Sequence, residues 1–391
     1  MHTYSPQDIC FEKGKGVWLW DQQGHQYLDA LSGIAVCGLG HAHPAVTTAL
    51  CEQAAKLIHT SNLYHVKNQQ RLADQLCQIS GMDKVFFSNS GAEANEAAIK
   101  LARLYGHNKK IANPQIIVME GSFHGRTMAT LSATGNRKVQ AGFEPLVSGF
   151  VRAPYNDLQA LQSIGENSKN VVAVLVEPVL GEGGIQIPDS DYLTGIRELC
   201  NQHDWLMMVD EIQTGMCRSG RWFAFQHQSI QPDVMTLAKG LGNGVPIGAC
   251  LASGRAAEVL KPGTHGSTFG GNPLTCHVAS AVIETLTDMQ ADAVAADLGQ
   301  RMLQGFTEKL QGIEGVEDIR GLGLLIGIEL DRNCAELVSH ARAEGLLINV
   351  TAERVVRLLP PLITSDEQAE KIVAMVSHLI IDFLQSGSNA S

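Results

Sequence analysis

The sequence predicts an α/β protein built on a mostly parallel, buried sheet, followed by a second, smaller α+β unit. Three observations carry that expectation. From about residue 60, short apolar runs at 84–88, 115–120, 171–176, 206–210, 234–238 and 247–251 alternate with helical patterns, as in crossover units whose strands are covered on both faces. The chain has 391 residues and is 45% hydrophobic, enough to bury a large core and form more than one folding unit. After about residue 275 the texture changes to a long helical stretch, a glycine-rich strand pattern at 320–330 and a helix ending near 385.

Taken in order, residues 16–29 hold two aromatic-rich runs around a glycine-containing turn, which predicts a hairpin added at the N-terminus. The start, Met-His-Thr-Tyr-Ser-Pro, lacks a basic region followed by an apolar core, and no run reaches the roughly 18 apolar residues of a membrane span; a cytoplasmic protein is expected. Only the final stretch, 385–391, has the composition of a disordered tail. The net charge of −11 argues against nucleic-acid binding, which needs clustered Lys and Arg to release counterions, and favours a small-molecule substrate. The nine cysteines are scattered without a Cys-x-x-Cys pair, so neither a metal nor a disulfide framework is expected, and most should be buried as small hydrophobes.

Two strand ends carry the chemistry. The run Trp-Leu-Met-Met-Val leads into Asp210, Glu211 and Gln213, and in open parallel sheets ligands gather at the carboxyl ends of strands. A buried Asp there needs a cationic partner, and a protonated pyridine nitrogen fits; capping of the next helix is the equal alternative. The next run ends in Lys239 followed by Gly-Leu-Gly-Asn-Gly. A partly desolvated amine has a lowered pKa and can form an imine, although a solvated lysine is commoner when taken alone. Neighbouring Asp and Lys strand ends shift that balance.

The remaining candidates gain weight in company. Gly91 and Ala92 sit at a strand-to-helix turn whose free N–H groups and dipole suit a phosphate; a helix simply capped by Ser90 is the alternative. Phe123 and Arg126 share one loop, offering a ring for stacking and a fork for a carboxylate, against local packing and a solvated arginine. Ser267 and Thr268 lie in a glycine-rich loop and offer hydroxyls for phosphate oxygens, or only a turn. Arg357 stands in an apolar strand and should meet a carboxylate from substrate or protein. Glu182 could neutralise it.

The motifs Ser-Gly-Ala-Glu-Ala-Asn-Glu, Phe-His-Gly-Arg-Thr, Asp-Glu-Ile-Gln-Thr-Gly, Leu-Ala-Lys-Gly-Leu-Gly and Gly-Ser-Thr-Phe-Gly-Gly-Asn-Pro occur in that order. Together they resemble the class III (ω-amino group) pyridoxal-phosphate aminotransferases, over nearly everything from Gly14 to Leu384. The resemblance implies fold type I, with a seven-stranded, mainly parallel sheet in a large domain at 56–275. A small domain would be drawn from 1–55 and 276–391, and two copies would form a homodimer. It assigns the cofactor phosphate to Gly91, Ala92 and Thr268 reaching across from the other copy, ring stacking to Phe123, the ring nitrogen to Asp210, the 3′-oxygen to Gln213 and the Schiff base to Lys239. Arg126 and Ser267 would bind an acylated ornithine, and Arg357 the 2-oxoglutarate carboxylate, with Glu182 holding Arg357 in the other half-reaction. Succinylornithine, ornithine, 4-aminobutyrate and N-succinyl-diaminopimelate are the rival substrates, and a cofactor-binding but inactive protein is the rival from another class. Met216-Cys217 and Phe269 depart from the usual family residues.

Overall fold

The computed structural model describes residues 1–388. Its central sheet has seven strands in the order Lys84–Ser88, Gly248–Ala252, Val234–Leu237, Leu206–Asp210, Val171–Val176, Gln115–Met119 and Phe150–Ala153. Neighbours are parallel except where Gly248–Ala252 runs antiparallel between Lys84–Ser88 and Val234–Leu237. The connection 238–247 is too short for the crossover that a parallel return would need. The sequence pattern misses Phe150–Ala153, a four-residue edge strand interrupted by Arg152, whose guanidinium donates to the carbonyls of Ser132 and Thr134.

Val171–Val176 and Leu206–Asp210 are buried throughout, because helices cover both faces and no residue of these strands can be left to water. Ile116 and Val118 pack with Ala98, Leu101 and Ala102 of the helix Gly91–Asn108. Ile117 and Met119 point the other way, toward Leu193 and Ile196 of the helix Tyr192–His203. The two-residue period of the strand thus sorts its side chains between two cores. At one edge of the sheet Ser88, Met119, Val176, Asp210 and Leu237 run out into loops, and Gly248 enters.

Two further sheets of four strands come from the chain ends. Trp18–Asp21 and Gln26–Asp29 form the expected hairpin, preceded by Phe11–Lys15. It is not a separate adornment, since Leu346–Leu347 pairs parallel with Gln26–Asp29, and the N–H groups of Leu28 and Ala30 reach Gly345 and Leu347. The second sheet is antiparallel, in the order Val316–Leu322, Leu325–Leu330, Val355–Leu358 and Asn349–Thr351.

The last helix, Asp366–Ser388, corrects the tail expectation. Residues 385–388 continue an amphipathic helix whose Ile372, Val376, Ile380 and Leu384 are already packed, and 389–391 lie outside the described residues. Of the nine cysteines five are buried, while Cys10 and Cys51 are exposed and Cys37 and Cys77 half-buried. No helix among the described residues is long and apolar enough to cross a membrane.

Candidate active site

A cavity of about 420 Å³ opens at that carboxyl edge, lined among others by Asn89–Ala92, Phe123–Arg126, Glu177, Glu182, Asp210, Gln213 and Lys239. Lys239 stands one residue beyond the strand Val234–Leu237, with φ at +44°, a left-handed conformation uncommon outside glycine and held only where the surroundings dictate it. The residue lines the cavity, and its amine makes no hydrogen bond or ion pair among the described residues. Burial pushes the ammonium below the usual lysine range; the Arg357 charge adds to this, while Glu182, Glu177 and Asp210 oppose it. The outcome is an amine that can lose its proton and attack a carbonyl carbon.

Asp210, at the end of the adjacent strand, is buried and multiply held. Its Oδ2 accepts from His124 Nδ1 and Asn95 Nδ2, each at 2.8 Å, and Oδ1 accepts the Ile212 N–H at 3.1 Å. One oxygen thus accepts a backbone N–H in the turn that follows the strand, where no helix starts, and the other is gripped by two side chains. Asn95 is itself fixed, donating to the His124 carbonyl and accepting from Thr236 Oγ1 at 2.8 Å. His124 and Asn95 were not assigned a role from the sequence. Asn95 lies in an alanine-rich helix, and a polar side chain on the buried face of a helix was the available signal.

Glu177, also unassigned, ties two loops together. Its carboxylate accepts the N–H of Phe123 at 2.7 Å and of Gly181 at 3.3 Å, fixing the loop that carries Phe123 relative to the one that carries Glu182. Burial pushes Glu177 up to about 7, with the Asp210 charge adding and His124 and the two N–H donors opposing. At the opposite wall Ser90 caps the helix Gly91–Asn108 by accepting the Glu93 N–H at 3.2 Å. The N–H groups of Gly91 and Ala92 remain at the helix start, so capping by Ser90 leaves the anion-binding end intact. A Cβ at Gly91 would meet Ile212 Cδ1 at 2.7 Å.

Arg357 is 1% exposed and does meet a carboxylate: Nη1 donates to Glu182 Oε1 at 2.7 Å. Asn349, its cross-strand neighbour, accepts from Nε and Nη2 at 3.0 and 2.7 Å. Arg126 is exposed, with its guanidinium 5.6 Å from the centre of the Phe123 ring. Ser267 and Thr268 do not line the cavity of Lys239. Ser267 Oγ accepts from Asn89 Nδ2 at 3.3 Å and from the Gly270 N–H at 2.9 Å, and Thr268 is exposed on the same loop.

The residues present fit pyridoxal phosphate. Among the described residues two buried polar atoms at the site have no partner, Gln213 Oε1 and His124 Nε2, and buried polar atoms left so call for a ligand or water. The carboxylate, amine, aromatic ring and helix start stand around one cavity of a size suited to a cofactor and a small substrate.

The chain resembles known proteins along its whole length. Acetylornithine aminotransferase of Nitrosomonas europaea is 58% identical over 99% of this chain and 98% of its own. Acetylornithine aminotransferase 1 of Bordetella bronchiseptica is 53% identical over 98% of each. The crystal structure of ornithine aminotransferase from Toxoplasma gondii superposes with a TM-score of 0.95 at 35% identity, covering 99% of this chain and 93% of that one. The family model for class III aminotransferases matches residues 2–380, and the chain accordingly belongs to that family, the pyridoxal-phosphate-dependent class III aminotransferases.

Proposed function

We propose that this protein transfers the δ-amino group of N2-acetyl-L-ornithine to 2-oxoglutarate, releasing N-acetyl-L-glutamate 5-semialdehyde and L-glutamate in arginine biosynthesis. The observation that carries the reading is the buried Arg357 held by Glu182, which itself lines the Lys239 cavity. An ω-aminotransferase must admit a donor whose reacting carbon has no carboxylate and then a keto acid whose reacting carbon bears one. A guanidinium masked by a partly exposed carboxylate meets both demands. Relatives named acetylornithine aminotransferase at 53–58% identity favour the acetylated donor.

The cofactor, when bound, supplies a carbonyl carbon that takes up amines and a ring that accepts electrons. Lys239 would hold it through its side-chain amine and, as a free amine, would carry the proton taken from the substrate carbon. Asp210, oriented by His124 and Asn95, pairs with the protonated ring nitrogen. Phe123 would cover the ring, Gln213 would lie near the 3′-oxygen, and the N–H groups of Gly91 and Ala92 would hold the phosphate. Arg126 and Ser267 bind the acylated ornithine; Arg357 takes the α-carboxylate of 2-oxoglutarate once Glu182 swings away, while Asn349 keeps the guanidinium in place.

Thr268 completes the phosphate site of a second copy, so the active form is a homodimer. Thr268 lies outside its own Lys239 cavity, on an exposed loop beside the exposed Phe269, and this supports the exchange. The division into a large domain at 56–275 and a small one from 1–55 and 276–391, and a cytoplasmic location, belong to the same reading.

The test compares kcat/KM for N2-acetyl-L-ornithine, N2-succinyl-L-ornithine, L-ornithine, 4-aminobutyrate and N-succinyl-L,L-diaminopimelate with 2-oxoglutarate as acceptor, reading glutamate formed. Acetylornithine should give the highest value. A higher value for any other donor discards the substrate while keeping the family.

A further inference from the structure

The carboxylate that pairs with Arg357 sits on a loop with little stiffness of its own. Glu182 lies among Gly181, Gly183 and Gly184, and glycines leave a backbone free to take many conformations. What orders the loop comes from outside it. At its neck Leu180 and Gln186 are bonded to each other in both directions, N–H to carbonyl, at 3.0 and 3.2 Å. At its tip Thr351 Oγ1 donates to the Glu182 carbonyl at 2.6 Å, and Arg320 Nη2 and Nε donate to the carbonyls of Gly184 and Ile185 at 2.6 and 2.9 Å.

The Arg320 fork is itself anchored. Its Nη1 meets Glu329 Oε2 at 2.6 Å and Asp318 Oδ2 at 2.7 Å. Glu329 is the cross-strand partner of Asp318 and holds Arg354 with its other oxygen at 2.6 Å. Every nitrogen of the Arg320 guanidinium is thus occupied, and Arg320 does not line the Lys239 cavity. The loop is also closely packed. A Cβ on Gly183 would lie 2.8 Å from the Gly121 carbonyl oxygen, one on Gly184 3.3 Å from Ala352 Cβ, and one on Gly327 3.0 Å from Ile185 Cβ. The backbone beside Glu182 is hemmed in, whereas the Glu182 side chain is 38% exposed.

On the reading that Glu182 masks Arg357 until a keto acid arrives, we propose that Arg320 is a positioning residue for the choice of amino donor. It holds the Gly184 and Ile185 carbonyls so that the Glu182 carboxylate is presented to Arg357 and the exchange is made by that side chain alone. A planar fork reaches two adjacent carbonyls and a carboxylate at once, which a lysine ammonium does not. Arg320→Lys therefore keeps the charge beside Glu329 and slackens the loop. The Glu182–Arg357 pair then breaks more readily, Arg357 is left open to an α-carboxylate, and glutamate gains as donor over N2-acetyl-L-ornithine.

The cofactor-loaded wild type, Arg320→Lys, Glu182→Gln and the double variant are compared below their melting midpoints by stopped-flow absorbance of the donor half-reaction. The readout is the ratio of the second-order rate constants for acetylornithine and glutamate. Arg320→Lys should lower that ratio about three- to tenfold, the worth of one net hydrogen bond. With Glu182 already replaced by Gln it should change the ratio less than about twofold, since both residues act through one pair. An unchanged ratio in Arg320→Lys, including an equal loss with both donors, overturns the proposal, and so does a shift that persists in the Glu182→Gln background. If Glu182→Gln itself leaves the ratio unchanged, the masking of Arg357 fails first and Arg320 has nothing to position. Should Arg320→Lys not accumulate folded, Thr351→Val, which frees the Glu182 carbonyl from its hydroxyl donor, is read against the same criteria.

Discussion

Replacing Glu182 by Gln tests how the site accommodates two unlike substrates. The substitution keeps the shape and a hydrogen-bond acceptor beside Arg357 but removes the charge that must be displaced before a substrate carboxylate can bind there. The pair is close, 2.7 Å, yet unequal in exposure: Arg357 is 1% exposed and Glu182 38%. Two unit charges at 4 Å near a protein surface attract by about 4 kcal/mol, whereas hydrogen bonds to charged groups contribute about 1.5–3 kcal/mol net. With the Glu182 end wetted, solvent screening brings this to the bottom of that range and somewhat below it, about 1–2 kcal/mol. Converted at RT, KM for 2-oxoglutarate should fall about 5- to 30-fold. Glutamate as donor should gain over acetylornithine by a similar factor. Stopped-flow absorbance, following each half-reaction alone, separates the two effects. A KM for 2-oxoglutarate that stays within about twofold of wild type, or rises, would refute the masking role of Glu182.

Three more perturbations probe the rest of the site. In His124→Phe, Asp210 keeps Asn95 but loses one of its two side-chain donors, at about 1.5–3 kcal/mol; kcat should drop at least about tenfold with KM little changed, and a kcat within twofold of wild type would contradict this. In Gly91→Ala the new methyl meets Ile212 at 2.7 Å, and overpacking of about 1–3 kcal/mol at the phosphate-binding turn should weaken cofactor binding in a protein that still folds, as read by titrating the apoenzyme with pyridoxal phosphate. His41→Gln should lower the melting temperature in a pH-dependent way. His41 Nε2 lies 2.8 Å from Asp29 Oδ2, and that carboxylate raises the imidazole from 6.5 to about 9, so its stabilisation, about 3 kcal/mol at most, is complete below pH 6.5 and is lost as the pH rises through 9. Melting curves of variant and wild type should therefore converge between pH 6 and pH 9.5, and a constant gap would contradict that pairing.

What the sequence reveals here follows from the range of the interactions involved. Lys239 and Asp210 are legible because each closes a continuous apolar run, and the fold places strand ends together. Gly91 is legible as small-residue punctuation before a helical pattern. His124, Asn95, Glu177 and Asn349 are not, since each earns its role from a partner that is distant in sequence or set by strand register. Asn349 is the clearest case: it meets Arg357 only because Asn349–Thr351 and Val355–Leu358 pair antiparallel in that register. Phe150–Ala153 escapes for the reverse reason, as an edge strand needs little apolar character and declares itself only through its ladder to Gln115–Met119. The final helix shows composition misleading: Gln-Ser-Gly-Ser suggests a tail, yet Leu384 is packed and the helix runs on.

The most direct test of the central claim is to reduce the cofactor-loaded protein with borohydride before and after adding N2-acetyl-L-ornithine, without any keto acid, and to map the peptides by mass spectrometry alongside the absorbance spectrum. The account predicts cofactor fixed on the peptide containing Lys239 before the donor is added. The visible band should be lost, and that peptide should go unlabelled afterwards, with both recovered on adding 2-oxoglutarate. Label on a different lysine, or a Lys239 label indifferent to every ω-amine offered, would contradict it.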